Sequence, residues 1–249
     1  RGWPTSRQFF WILVAMVGIR SAAMAFNRLV DAKIDAANHR TRNREIPRGV
    51  LKKSEVWVFV AASAVVFVLA AYELNRLCFI LSPVALAVTF FYSFTKRFTW
   101  LSHLILGGAI GLAPIGGWVA VAGSFHLIAF LLGAAVLFWI AGFDIVYACQ
   151  DYEFDRSYTL KSIPQRWGIS KALRVSELCH LITFALLVTV GIMAGLGSAY
   201  YAGLVLILAF LAVQHFIVSP EDLSRVNVSF FTMNGLISLV ILVATLFSL

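Results

Sequence analysis

Apolar and polar residues fall along this chain in long blocks, not in the short alternation of a strand or the narrow stripe of a surface helix. Residues 77–95, 98–143, 178–220 and 226–249 contain no Asp, Glu, Lys or Arg. A helix that crosses the hydrocarbon core of a bilayer needs roughly 20 apolar residues. The runs 98–143 and 178–220 are therefore each long enough for two crossings. Turn-forming residues divide them, at Gly123-Ser124 and at Gly195-Leu196-Gly197-Ser198. With the apolar stretches near the start of the chain, the pattern predicts eight spans, at about 8–30, 55–74, 77–95, 101–122, 126–149, 175–195, 198–218 and 227–248. The fold class is all-α, a polytopic transmembrane helix bundle. The first helix is expected to continue through Asp35, beyond its apolar part.

Composition removes the soluble alternative. The chain has 249 residues, 61% apolar and only 13% charged, against about 45–50% and about 25% in a soluble domain. The net charge is +8, and its placement says more than its sum. Residues 27–53 carry eight Lys or Arg, 96–97 two, 156–174 five and 218–226 one, while Arg76 is the only basic residue in the intervening loops. That alternation is the positive-inside pattern. It places the basic loops in the cytoplasm, with the start of the first span outside; the membrane expected is a bacterial inner membrane. Basic charge confined to membrane-proximal loops suits anionic lipid heads or a phosphorylated substrate, and not nucleic acid. Cys78, Cys149 and Cys179 have no paired spacing. The five histidines are scattered and are read as interfacial residues. The first run has no signal-peptide cleavage site. The chain opens on Arg1 instead of Met, so residues 1–249 are read as a single transmembrane domain lacking its N-terminal part.

Two charged stretches interrupt the apolar pattern. In "FNRLVDAKIDAANHRTRNREIPRG", Asn27, Asp31 and Asp35 are four residues apart and share one helix stripe, with Arg20 two turns earlier on the same side. In "FDIVYACQDYEFDRSYTLKSIPQRWG", Asp144, Tyr147, Asp151 and Asp155 follow at spacings of three and four. A basic segment follows each stripe. Ionised Asp at membrane depth costs a few kcal/mol even on lenient scales, so the stripes call for compensating charge. Mg²⁺ takes oxygen ligands and commonly combines a few carboxylates with substrate phosphates. Arg and Lys suit the phosphate oxygens. Paired carboxylate stripes with paired basic loops read as a metal–diphosphate site between two helices.

At these residues the sequence resembles the UbiA family of intramembrane prenyltransferases. The resemblance rests on Asn27-Arg28-x-x-Asp31-x-x-x-Asp35 with Arg40-Thr41-Arg42-Asn43-Arg44 and Pro47-x-Gly49. It rests also on Asp144-x-x-Tyr147-x-x-x-Asp151-x-x-x-Asp155 with Lys161-Ser162, and on Tyr92-x-x-x-Lys96-Arg97 between them. It implies a bundle normally of nine helices around a central cavity, of which this chain would hold eight. The stretch "RSAAMAFNR" is most similar to the polyprenyltransferases of the 4-hydroxybenzoate type, in ubiquinone biosynthesis or an alternative menaquinone route.

The resemblance implies the following chemistry. Polyprenyl diphosphate enters from the bilayer. Asn27, Asp31 and Asp35 hold one Mg²⁺, and Asp151 and Asp155 a second. Arg40, Arg44, Lys96 and Lys161 bind diphosphate oxygens, with Tyr92 and Tyr147 lining the same pocket. The diphosphate departs, and the allylic cation is attacked by an electron-rich ring that then loses a proton. Asp31, Asp151 and Asp144 are the candidate catalytic acids, Asp144 to orient the phenol or take the ring proton. Arg20, inside a span, is either the partner of an aromatic carboxylate or a structural partner of Asp144. Aromatic residues near the motifs, among them Phe90, Phe94 and Phe143, either line the cation's path or simply pack. Other acceptors (dihydroxynaphthoate, haem or chlorophyll type) remain alternatives. A transporter is the alternative of another class, disfavoured because the acidic groups gather at one membrane face.

Overall fold

The computed structural model describes residues 3–248; Arg1, Gly2 and Leu249 lie outside them. Among the described residues every regular element is helical: α1 (Ser6–Val30), α2 (Ala32–Ala37), α3 (Lys53–Leu74), α4 (Arg76–Thr95), α5 (Ser102–Ala122), α6 (Leu127–Ala148), α7 (Tyr152–Ser157), α8 (Ile163–Trp167), α9 (Ile169–Ala194), α10 (Ser198–Phe216) and α11 (Asn234–Leu246). A 3₁₀ turn, Cys149–Asp151, joins α6 to α7, and a π-helical turn, Val228–Met233, leads into α11. Among the described residues eight helices are long and apolar enough to cross a membrane, and they coincide with the eight spans expected.

Local chemistry sets the ends. Thr5 Oγ1 accepts the Gln8 N–H at 3.2 Å while Gln8 Oε1 accepts the Thr5 N–H at 3.0 Å, a reciprocal cap that starts α1. Gly195, at φ +62°, ends α9 in the left-handed conformation, and the Leu196 N–H closes onto the Gly191 carbonyl at 3.0 Å. α9 starts at Ile169, six residues before the expected 175. Its first turns carry Lys171 and Arg174, so a boundary drawn from apolarity stops short of the helix.

The chain forms two compact units: Arg1–Phe94 with Leu112–His126, and Thr95–Gly111 with Leu127–Leu249. In the first unit α1 packs along α3, with Gly18 against the backbone of Ser63 and Phe67. Phe26 centres the packing beneath the first acidic stripe, together with Leu29, Val56 and Val60. Its ring stacks on Phe90 at 4.4 Å and meets Trp57 and Phe94 edge-on. Phe90 and Phe94 are thus engaged in packing. At the far end of this unit the Asn75 amide donates to the Val119 carbonyl at 2.9 Å, satisfying a carbonyl of the last α5 turn.

In the second unit α6 is the central helix and lies along α9. Ile145, Val146, Cys149, Ile163, Ala172 and Leu173 form one buried cluster, and Phe143, Leu187, Tyr200, Leu204 and Ile207 belong to another. The first half of α5 packs unusually close to α6. A β-carbon at Gly107 would collide with the Leu137 carbonyl oxygen, and one at Gly111 with that of Gly133. This close approach through small residues is a membrane-helix packing mode. Gly111, Gly107 and His103 lie at four-residue intervals on one face of α5. The next contact in that series brings His103 to Asp144, near the C-terminal end of α6.

Candidate active site: two acidic clusters and a strap

The first cluster lies in the first unit. α1 does not run through Asp35 as expected. It breaks at Asp31 (φ −91°, ψ 1°), and α2 resumes from Ala32. The stripe survives because the helical bond pattern crosses the break: Asp31 N–H to the Asn27 carbonyl at 2.9 Å, and Asp35 N–H to the Asp31 carbonyl at 2.8 Å. Asp31 is 2% and Asp35 4% exposed. The Asn27 amide donates to Asp31 Oδ2 at 3.3 Å and lies 3.5 Å from Ser93 Oγ, next to Tyr92 on α4. The basic loop folds back onto α2. Thr41 Oγ1 donates to the Asp35 carbonyl at 3.1 Å, and Asn38 Oδ1 accepts the Arg40 N–H at 2.9 Å. That turn delivers Arg44, whose Nη1 donates to both carboxylate oxygens of Asp35 at 2.8 Å. Arg40 is half-buried in the same loop. The arginine read from sequence as a phosphate ligand is here the counter-ion of a metal-ligand candidate. Arg20, one helix stretch earlier, is exposed and forms no ion pair among the described residues.

The second cluster lies in the second unit. The helix that carries Asp144 and Tyr147 ends at Ala148, close to the expected 149, and a 3₁₀ turn ends at Asp151, so Asp151 and Asp155 are presented from a tighter turn and the following short helix α7. Tyr147 is half-buried and lies 4.4 Å from the Phe230 ring. Three consecutive residues then strap the loop to the cluster. The Lys161 N–H donates to the Lys96 carbonyl at 2.7 Å. Ser162 Oγ donates to Asp155 Oδ2 at 2.7 Å, and also caps α8 by accepting the Gln165 N–H at 3.2 Å. The Ile163 N–H donates to His103 Nε2 at 3.2 Å. The strap continues into α8, pinned where the Arg166 guanidinium lies 4.8 Å from the Trp100 ring and Trp100 meets Trp167 at 4.8 Å. Lys96 and Lys161 are thus brought together by their backbones.

Asp144 completes the second cluster. Its partner is His103, with Nδ1 2.6 Å from Oδ2. The expectation of scattered interfacial histidines therefore fails at His103, which is 3% exposed. It fails again at His180 and His215, whose rings bond to each other at 2.8 Å. A single His in the sequence shows no partner, because its partners lie 41 and 60 residues away.

The donors of both clusters suit a hard cation. They are carboxylates with one amide oxygen, and Asp31 and Asp35 are both buried. Among the described residues no three His, Cys, Asp or Glu side chains meet closely enough to enclose a cation by themselves.

The family model for the UbiA prenyltransferases matches residues 1–236. The chain belongs to the UbiA prenyltransferase family. It is an enzyme, a prenyltransferase, and an integral membrane protein. A 4-hydroxybenzoate octaprenyltransferase from Sodalis glossinidius is 33% identical over 93% of this chain and 79% of its own length. One from Nitrosomonas eutropha is 29% identical over 90% and 78%. Among solved structures, the apo structure of a UbiA homolog from Aeropyrum pernix K1 superposes with a TM-score of 0.90 at 33% identity, covering 98% of this chain and 90% of that one. A UbiA homolog from Archaeoglobus fulgidus bound to DMAPP and Mg²⁺ shares the fold at a TM-score of 0.71 and 22% identity, over 96% and 89%. The two acidic clusters of this UbiA prenyltransferase thus lie in a fold shared with that homolog.

Proposed function

We propose that this protein transfers a polyprenyl group from polyprenyl diphosphate to the ring of a hydroxylated aromatic acid, with Mg²⁺, in ubiquinone or menaquinone biosynthesis, at a cytoplasm-facing site of a bacterial inner membrane. The observation that carries this reading is the pair of acidic clusters, each with its own basic loop, in a chain whose relatives are named 4-hydroxybenzoate octaprenyltransferases. Asn27, Asp31 and Asp35 hold one Mg²⁺; Asp151 and Asp155 hold a second. The metal supplies positive charge to the departing diphosphate. Arg40, Lys96 and Lys161 bind diphosphate oxygens, and Tyr92 and Tyr147 line their surroundings. Arg44 stands on Asp35 and is placed to exchange that carboxylate for a phosphate oxygen of the same charge. The prenyl C–O bond breaks, a ring carbon of the acceptor bonds to the allylic carbon, and the ring proton leaves. Asp144 accepts a hydrogen bond from the acceptor hydroxyl or takes that proton. Arg20 pairs with the acceptor carboxylate.

The test is transfer of radiolabel from polyprenyl diphosphate in membranes, offered 4-hydroxybenzoate or a dihydroxynaphthoate, with Mg²⁺ and then with EDTA. Labelled prenyl acid that vanishes with EDTA is expected. No transfer to 4-hydroxybenzoate, or transfer indifferent to EDTA, overturns the reading.

A further inference from the structure

His103 opens the first turn of α5 and is buried, yet it lies beside a more accessible carboxylate: the Asp144 side chain is 24% exposed against 4% for His103. Both ring nitrogens are occupied. Nε2 accepts the Ile163 N–H at 3.2 Å. A ring nitrogen that accepts carries no proton, so the proton of the neutral ring sits on Nδ1. There it points at Asp144 Oδ2, 2.6 Å away. A doubly protonated ring would set its Nε2–H against the Ile163 N–H. The bonding partners therefore assign one tautomer.

We propose that His103 is a positioning residue for prenyl transfer. It holds the Asp144 carboxylate by Oδ2 and leaves Oδ1 for the hydroxyl or ring proton of the aromatic acceptor. This rests on the reading of Asp144 as the acceptor-side acid. The arrangement follows the logic by which a buried partner fixes the orientation of a reacting group, with the roles of acid and imidazole exchanged. The carboxylate meets the open side, and the imidazole behind it is the donor. The backbone group that selects the tautomer is part of the strap. The same three residues bond Lys96 through Lys161, Asp155 through Ser162, and His103 through Ile163. Two of those three bonds, to Lys96 and to Asp155, do not involve His103. The close α5–α6 approach at Gly107 and Gly111 is what brings His103 within reach.

The test uses the full chain in lipid nanodiscs with Mg²⁺, polyprenyl diphosphate and 4-hydroxybenzoate. His103→Leu removes both bonds. His103→Gln keeps a donor and an acceptor on two atoms bonded to one carbon of a planar group. Loss of a partner that orients a working side chain costs about 10- to 100-fold. We expect His103→Leu to lower kcat/KM for the acceptor by that factor with the diphosphate KM unchanged, and His103→Gln to restore most of it. A general packing defect would raise both KM values and would not be rescued by Gln. Either that pattern or an unimpaired His103→Leu enzyme overturns the proposal. A second measurement is independent of turnover. In ¹⁵N-histidine protein, the resonance that disappears in His103→Gln should have its proton on Nδ1. An Nε2–H tautomer or an imidazolium there overturns the assignment. A wild-type protein that prenylates no hydroxylated aromatic acid overturns the functional reading, and this proposal with it. An active wild type beside an indifferent His103→Leu overturns the proposal alone.

Discussion

Gly107→Ala is expected to damage the enzyme through a distance, and its neighbour supplies the control. A β-carbon at Gly107 meets three backbone atoms of Leu137, with the carbonyl carbon at 3.0 Å, Cα at 3.2 Å and the oxygen nearest. No side chain can rotate to relieve this, so α5 must draw back from α6 by about 1 Å to restore an ordinary contact. Overpacking of this kind costs about 1–3 kcal/mol. At Gly108 the added carbon would lie 3.7 Å from Leu137 Cδ1, an ordinary contact. Both substitutions gain the same helix propensity, about 1 kcal/mol, so comparing them isolates the clash. At about 2–4 °C per kcal/mol for a chain of this size, Gly107→Ala should melt roughly 2–12 °C below Gly108→Ala. The same retreat carries His103, one turn away on the same face, from Asp144. A 2.6 Å bond lengthened by about 1 Å is no longer a hydrogen bond. Transfer to the acceptor should then fall toward the level of His103→Leu, about 10- to 100-fold, while Gly108→Ala remains active. The assays are thermal unfolding in detergent and prenyl transfer in nanodiscs. If the two alanine variants melt together and turn over alike, the close approach does not position the site.

Asp31→Ala and Asp151→Ala should each lower turnover by orders of magnitude while the protein still inserts; retained turnover in either defeats the two-metal reading. Arg20→Ala should raise the KM for a carboxylated acceptor by roughly 10- to 150-fold, the value of a charge-assisted bond at about 1.5–3 kcal/mol, with the diphosphate KM nearly unchanged. An equal loss with a phenol lacking the carboxylate removes the reason to assign Arg20 to the acceptor. Introduced cysteines within 36–53 and 156–168 should label from the cytoplasm, and ones at Ser124 or Leu196 from outside. Labelling of 36–53 from outside would reverse the orientation drawn from the basic loops.

The sequence by itself determined the eight crossings, because a helix in hydrocarbon must satisfy its backbone internally and needs a long uncharged run to do so. It also determined the two acidic stripes, because spacings of four follow the helix period whatever surrounds them. Even the breaks at Asp31 and at Cys149–Asp151, invisible in that pattern, leave the first stripe in register through its main-chain bonds. Charge placement cannot show which charge answers which. Arg44 reads equally well as a ligand for phosphate or as the counter-ion of Asp35, and only the loop's fold onto α2 puts its Nη1 2.8 Å from both oxygens. His103 carries no local signal at all. Its role depends on Asp144, 41 residues on, and on the Ile163 N–H, 60 residues on. Those groups meet because Gly107 and Gly111 let two helix backbones come closer than any side chain would allow. Local periodicity is written in neighbouring residues. The distance between two helices is a property of their packing, and at this site the hydrogen-bond partners follow from that distance.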